Sequence, residues 1–196
     1  MKAEEFDRFR KFYHRLTLDE IKKFYYKIHG EYPCQDHYDP ESAISFLGAC
    51  NPLKVIEVGG GNGRLAGRVL EVMPSMELWH NYELDAWKAE NQDKRYEMRV
   101  PNRFVWECEL MPYDTLVMSH SMEHMAPDNV RALLGRLPHL AHVYVDYPPM
   151  PPGGWAGTTC AHVNPMDLGG VIGFMASLGF IGHRLGVSAA GFHHDS

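Results

Sequence analysis

Glycines at 59, 60, 61 and 63 crowd behind a glutamate in Glu57-Val58-Gly59-Gly60-Gly61-Asn62-Gly63. The run follows an apolar, β-branched stretch at 53–58 and precedes residues 64–73, which read as a helix. A strand, a tight turn and a helix in that order serve a particular chemistry. Gly59, Gly60, Gly61 and Gly63 tolerate backbone angles that side chains resist, and they let a ligand lie against bare main chain. The N–H groups of the new helix can then bind a carboxylate or a phosphate. Glu83 stands at the end of a second predicted strand, residues 76–83, about 20 residues past the loop. A carboxylate there can accept both hydroxyls of a ribose, with Asp85 as the near alternative.

The elements that must hold this pair alternate. Strands are expected at 53–58, 76–83, 103–106, 113–119, 142–147 and 180–187, with helices at 64–73, 85–98, 128–137 and 164–179. Asn164-Pro165 is the expected opening of the last helix, with asparagine as cap and proline in the first turn. Such alternation predicts an α/β fold: a Rossmann-like three-layer sandwich on a mostly parallel sheet. Ahead of it, Phe6, Phe9, Tyr13 and Leu16 recur at helical spacing. Ile21, Phe24, Tyr25 and Ile28 follow, with Thr17 and Glu20 at capping-box spacing between the two groups. The reading is one domain over 1–196, in which 1–50 form a helical cap and 51–196 the ligand-binding core.

Glu57 before the glycines gives E-x-G-x-G-x-G, which resembles motif I of the class I S-adenosylmethionine-dependent methyltransferases. Residues 113–125 (YDTLVMSHSMEHM) are similar to that family's fourth-strand segment, which runs from an Asp to a Glu-His pair. Residues 161–165 with 178–180 resemble its late pattern of a His-containing loop, a helix and Gly-Phe entering a strand. The resemblance covers about 53–187 and implies S-adenosylmethionine as cofactor and methyl transfer to an oxygen or nitrogen of a small molecule. It implies cofactor contacts from Glu57, Gly59, Gly60, Gly61, Gly63, Glu83, Ser119 and, near the adenine, Glu107. The family usually ends in a strand hairpin, so with nine residues after Val187 the final strand is expected to be very short or missing. Two other readings stand beside this one. Gly61-Asn62-Gly63-Arg64-Leu65-Ala66 also fits the G-x-G-x-x-A pattern of NAD(P)-dependent oxidoreductases, and a cofactor-binding module without catalysis would keep the same loop.

His120 falls at the carboxyl end of the fourth predicted strand, where ligand crevices open, and a neutral imidazole there suits proton abstraction. His162, after a Pro/Gly-rich loop containing Trp155, is a second candidate for the acceptor side. His124 is read as a capping or packing residue. His120-Ser121-Met122-Glu123-His124 satisfies H-x-x-E-H, yet no Glu follows Glu123 to complete a zinc-hydrolase set, and no metal ligands are assigned. His193-His194 reads as a solvated pair near the terminus. A net charge of -6 gives no nucleic-acid footprint, and no apolar stretch reaches bilayer length. Four scattered cysteines without a CxxC pair fit a cytoplasmic protein with reduced thiols.

Overall fold

The computed structural model describes residues 1–31, 40–84, 97–99, 103–158 and 160–194. Seven strands form one sheet: β1 (Lys54–Val58), β2 (Leu78–Tyr82), β3 (Glu97–Arg99), β4 (Thr115–Ser119), β5 (His142–Asp146), β6 (Phe180–Arg184) and β7 (Ala189–His194). Their spatial order is β3-β2-β1-β4-β5-β7-β6. The first five are mutually parallel, and β7 runs antiparallel between β5 and β6. Among the described residues the helices are α1 (Ala3–Phe12), α2 (Leu18–Glu31), α3 (Pro40–Cys50), α4 (Arg64–Val72), α5 (Pro127–Gly135) and α6 (Leu168–Ala176).

Alternation along the strands builds the three layers. Val55, Val117 and Tyr144 pack with Phe46 and Leu47 of α3 and Leu65 and Val69 of α4. Their neighbours Ile56, Leu116, Met118, Val143 and Val145 point the other way, onto Val130 and Leu133 of α5 and Val171 and Met175 of α6. A central sheet buried on both faces is what a parallel core requires. The amino-terminal helices bury Phe6, Phe9, Tyr13, Ile21 and Ile28 against Ala161, with Leu84, Phe104 and Val163 packed alongside. Phe9 and Phe24 stack at 3.8 Å. The expected capping box is formed: Glu20 Oε2 accepts from Thr17 N at 2.8 Å, and Thr17 Oγ1 accepts from Glu20 N at 3.3 Å.

Three expectations are corrected. Residues 103–106 are not a strand; Val105–Glu107 is a single 3-10 turn, with Phe104 and Trp106 stacked at 4.5 Å. Three apolar residues are too short a run to fix a period. The third strand is β3, which the sequence pattern places in the helix expected at 85–98; residues 85–96 of that helix lie outside the described residues. The last helix is capped by Asp167, whose Oδ1 accepts from Gly170 N at 2.7 Å. Asn164 is instead buried, and its Oδ1 accepts from Met166 N.

The final strand is present and six residues long. Its sequence hides it because large rings crowd the space where its side chains would be. A Cβ on Gly191 would lie 2.3 Å from Phe46 of α3, and one on Gly182 of β6 would lie 2.3 Å from Phe192 of β7. Small residues therefore occupy the buried first half of the strand, Ala189–Gly191, and the β-branched signature is absent. No helix among the described residues is long and apolar enough to cross a membrane.

Candidate active site

The glycine loop is fastened to the end of β2 by three successive N–H groups. Gly59 N donates to Tyr82 O at 2.9 Å, Gly60 N to Asn81 Oδ1 at 3.0 Å, and Gly61 N to Glu83 Oε2 at 2.8 Å. Gly59, Gly61 and Gly63 have φ of 70°, 59° and 79°, left-handed values that favour glycine. Gly63 then caps α4, so that the amino end of this helix begins directly after the loop. Glu57, Gly59, Gly60, Gly61, Gly63 and Glu83 thus lie together at the carboxyl ends of β1 and β2.

Glu57 closes the floor of the loop. It is 1% exposed, and its Oε2 accepts from Trp79 Nε1 at 2.9 Å. Its Oε1 is buried without a hydrogen bond among the described residues. Burial pushes its pKa up to about 7, against the Trp79 bond and with the help of Glu83. Asn81 and Trp79 are the supports that sequence reasoning missed. Their signal was a buried polar residue inside an apolar strand, since Asn81 is fully covered.

A second cluster gathers at the ends of β4 and β5. Ser119 pairs in register with Asp146. His120 follows with φ of 50°, and its N–H donates to Asp146 O at 2.9 Å. A histidine in that region costs roughly 1–2 kcal/mol, a strain that collects at functional sites. Its Nδ1 lies 3.6 Å from Glu123 Oε1 and its Nε2 3.5 Å from Asp146 Oδ2. Burial favours the neutral ring, but the two carboxylates outweigh it and raise the pKa to about 9. His120 is therefore an imidazolium near neutrality, unlike the neutral ring expected from sequence.

Glu123 belongs to the 3-10 turn Met122–His124, so H-x-x-E-H is not on a helix. The Glu123 carbonyl accepts from Val163 N at 2.8 Å and Asn164 N at 3.0 Å, which draws His162 beside His124. The two rings meet edge to face at 4.9 Å, and Trp155 covers His162 at 4.3 Å. His162 Nε2 lies 3.9 Å, and His124 Nε2 4.0 Å, from Glu123 Oε1. His124 Nδ1 is held by Tyr25 Oη at 3.0 Å and Ala161 O at 3.2 Å. With the ring proton on Nδ1 and given to that carbonyl, the Nε2 lone pair faces Glu123. One ligand atom each from Glu123, His124 and His162 lies within 4.8 Å of the others, a set suited to a divalent cation. Sequence assigned no metal ligands and read His124 as a packing residue; the contact between His124 and Ala161 joins positions 37 residues apart, which no spacing encodes. Burial, with His120 and Arg10 nearby, lowers the His162 pKa to about 4, and burial raises that of Glu123.

The amino-terminal helices latch the loop that carries Trp155. Asp7 Oδ1 accepts from Gly157 N at 3.0 Å, and Arg10 reaches the carbonyls of Thr158 and Cys160. Glu107 stands apart from both clusters in its role: it is exposed, and its Oε2 accepts from Phe104 N at 3.2 Å.

Solved structures share this architecture. Human N-acetylserotonin methyltransferase, in complex with SAM, superposes with a TM-score of 0.59 at 13% identity; the match covers 80% of this chain and 52% of that one. The fold is that of the class I methyltransferases. Magnesium protoporphyrin IX methyltransferase from Synechocystis PCC 6803, with bound SAH, gives 0.58 at 12% identity, covering 80% of this chain and 82% of that one. An O-methyltransferase family protein from Burkholderia thailandensis gives 0.59 at 14% identity, covering 91% and 60%. This chain therefore spans about half the length of the human enzyme. By sequence, no family model and no curated protein matches it.

Proposed function

We propose that this chain binds S-adenosylmethionine across residues 59–63 and transfers its methyl group to an oxygen or nitrogen of a small molecule. The observation that carries the reading is the Glu83 carboxylate held against Gly61 N at 2.8 Å, at the end of the strand beside the glycine loop. A ribose acceptor and a bare-backbone cradle are thereby in contact before any ligand arrives. The antiparallel β7 speaks against a nicotinamide dinucleotide, because the dinucleotide fold keeps a parallel sheet to its sixth strand.

The cofactor, when bound, supplies an electrophilic methyl group; the protein supplies binding, orientation and exclusion of water. Gly59, Gly60, Gly61 and Gly63 with the α4 N-terminus would hold the amino-acid end, Glu83 the ribose, and Ser119 the neighbouring edge. Glu107 would border the adenine side. His120, as a cation between two carboxylates, fixes the wall of the acceptor crevice. His162, under Trp155, is the base that takes the acceptor's proton. Trp155 and the latch from Asp7 and Arg10 keep water from the reacting centre.

Calorimetric titration with S-adenosylhomocysteine tests the cofactor. Wild type should bind it, NAD⁺ and NADP⁺ should not, and Glu83→Gln should weaken it about tenfold, the worth of one charge-assisted hydrogen bond. Binding of a dinucleotide alone would overturn the proposal. A second reading of the acceptor side is favoured by the convergence of Glu123, His124 and His162: a divalent cation there would bind the acceptor oxygen directly. Chelation separates the two. With His162 as base, turnover on an acceptor found by screening survives chelator; with a metal, it vanishes and returns on adding Mn²⁺ or Zn²⁺.

A further inference from the structure

His193, which sequence reads as one of a solvated pair, is half-buried. It faces His142 across the antiparallel ladder, where the two are register partners. His194 N donates to Ala141 O at 2.9 Å, so the 142/193 pair sits between ladder bonds, in the position where opposed side chains stand closest. The two Nδ1 atoms are 2.9 Å apart. That contact is a single N–H···N bond, one ring donating and the other accepting, with both Nδ1 atoms turned inward.

A third donor approaches from the helix layer. Helix α3 ends at Cys50, and its Phe46 ring packs on His193 at 5.4 Å and on Tyr144 at 6.0 Å. His183 of β6 stacks on His193 at 5.8 Å with an interplanar angle of 18°. These contacts fix the ring plane and hold the helix end above it. Cys50 is a free thiol, and one ligand atom each from Cys50, His142 and His193 lies within 4.8 Å of the others. All three residues are half-buried. A tetrahedral zinc ion with one sulfur and two nitrogen ligands needs separations of roughly 3.3–3.6 Å, within a small adjustment of this arrangement.

We propose that Cys50, His142 and His193 form a binding site for a borderline-soft divalent metal of the zinc class, remote from the methyl-transfer crevice. One thiolate and two imidazoles select zinc or cobalt over magnesium and calcium, which require oxygen donors. Asp114, the carboxylate whose charge is felt by both Cys50 and His142, is already engaged: it accepts from Leu53 N and Lys54 N at 2.9 Å and from Thr115 Oγ1 at 2.8 Å. Water therefore completes the shell. On binding, the Cys50 thiol gives its proton to solvent and the Cys50 Sγ–metal bond forms; the one proton of the N–H···N contact moves to the outer nitrogen of the ring that donated it, so that both Nδ1 lone pairs face the metal. The site lies at the amino-terminal edge of the parallel strands, where β5 begins and α3 ends, opposite the glycine loop at the carboxyl end of β1. Its effect is to tie α3 to the antiparallel β5–β7 pair.

Cobalt(II) titration of the chelator-treated full chain tests this directly, because a thiolate ligand produces a near-ultraviolet charge-transfer band that oxygen and nitrogen ligands lack. Wild type should show one equivalent with that band, displaced by zinc. Cys50→Ser should lose the band, and His193→Gln should lose both it and the tetrahedral visible absorption, with unchanged circular dichroism. Glu123→Gln should keep the band, because the crevice cluster holds no sulfur, and Cys50→Ser should bind S-adenosylhomocysteine as wild type does. Absence of the band in wild type, or its persistence in Cys50→Ser, overturns the assignment.

Discussion

Gly60→Ala is expected to abolish measurable S-adenosylhomocysteine binding and to lower the unfolding free energy by about 2–4 kcal/mol. Gly60 is not among the glycines with positive φ, so alanine meets no backbone penalty there and the effect comes from space alone. The added Cβ would lie 2.3 Å from Glu57 Cδ, 2.4 Å from Glu57 Oε2 and 2.8 Å from Asn81 Oδ1. Neither neighbour yields freely. Glu57 Oε2 holds Trp79 Nε1, and Asn81 Oδ1 holds Gly60 N itself. Both residues are buried, so the loop must move, and it takes Gly61 away from Glu83. The same substitution at Gly48, where a Cβ would meet nothing within 4 Å in the helix, should be neutral or slightly stabilising. Urea unfolding and ligand titration of the two variants check this. Wild-type ligand affinity in Gly60→Ala would remove residues 59–63 as the seat of the cofactor.

That contrast also marks what the sequence could carry. The loop was legible because its meaning is local: strand, glycines and helix lie within twenty residues, and Glu83 follows at a spacing that one helix and one strand dictate. The sheet was legible through its β-branched runs at β1, β4 and β5. Where neighbours decide composition, the pattern failed. Strand β7 opens with Ala189, Ala190 and Gly191, where Phe46 of α3 packs with Ala189 and fills the space beside Gly191, and no propensity reports that. Clusters assembled across long separations were invisible for the same reason. Glu123 meets His162, and His142 meets His193, through sheet order and loop closure that no spacing encodes. The protonation of His120 was likewise out of reach, because Asp146 arrives from a different strand.

Glu57→Gln is expected to change how stability depends on pH by roughly 3 kcal/mol between pH 5 and pH 8. Burial holds the Glu57 carboxyl protonated in the folded protein up to about 7, while the unfolded chain releases that proton near 4.5. A raised folded pKa means that the folded state binds the proton more tightly. The associated stability is fully present below 4.5 and is lost as pH rises through 7. Above that point the native protein carries a charge in a site whose second oxygen, Oε1, has no hydrogen bond among the described residues. Glutamine keeps the carbonyl that accepts from Trp79 Nε1 and removes the titration, so its stability curve should lack this fall. Every other titrating group is common to both proteins and cancels in the difference. Urea midpoints at pH 5 and pH 8 for the pair supply the measurement, and parallel curves would mean that Glu57 is already charged in the folded state. In that case the floor of the glycine loop would be an anion at rest, and its affinity for a cationic ligand would no longer depend on losing a proton first.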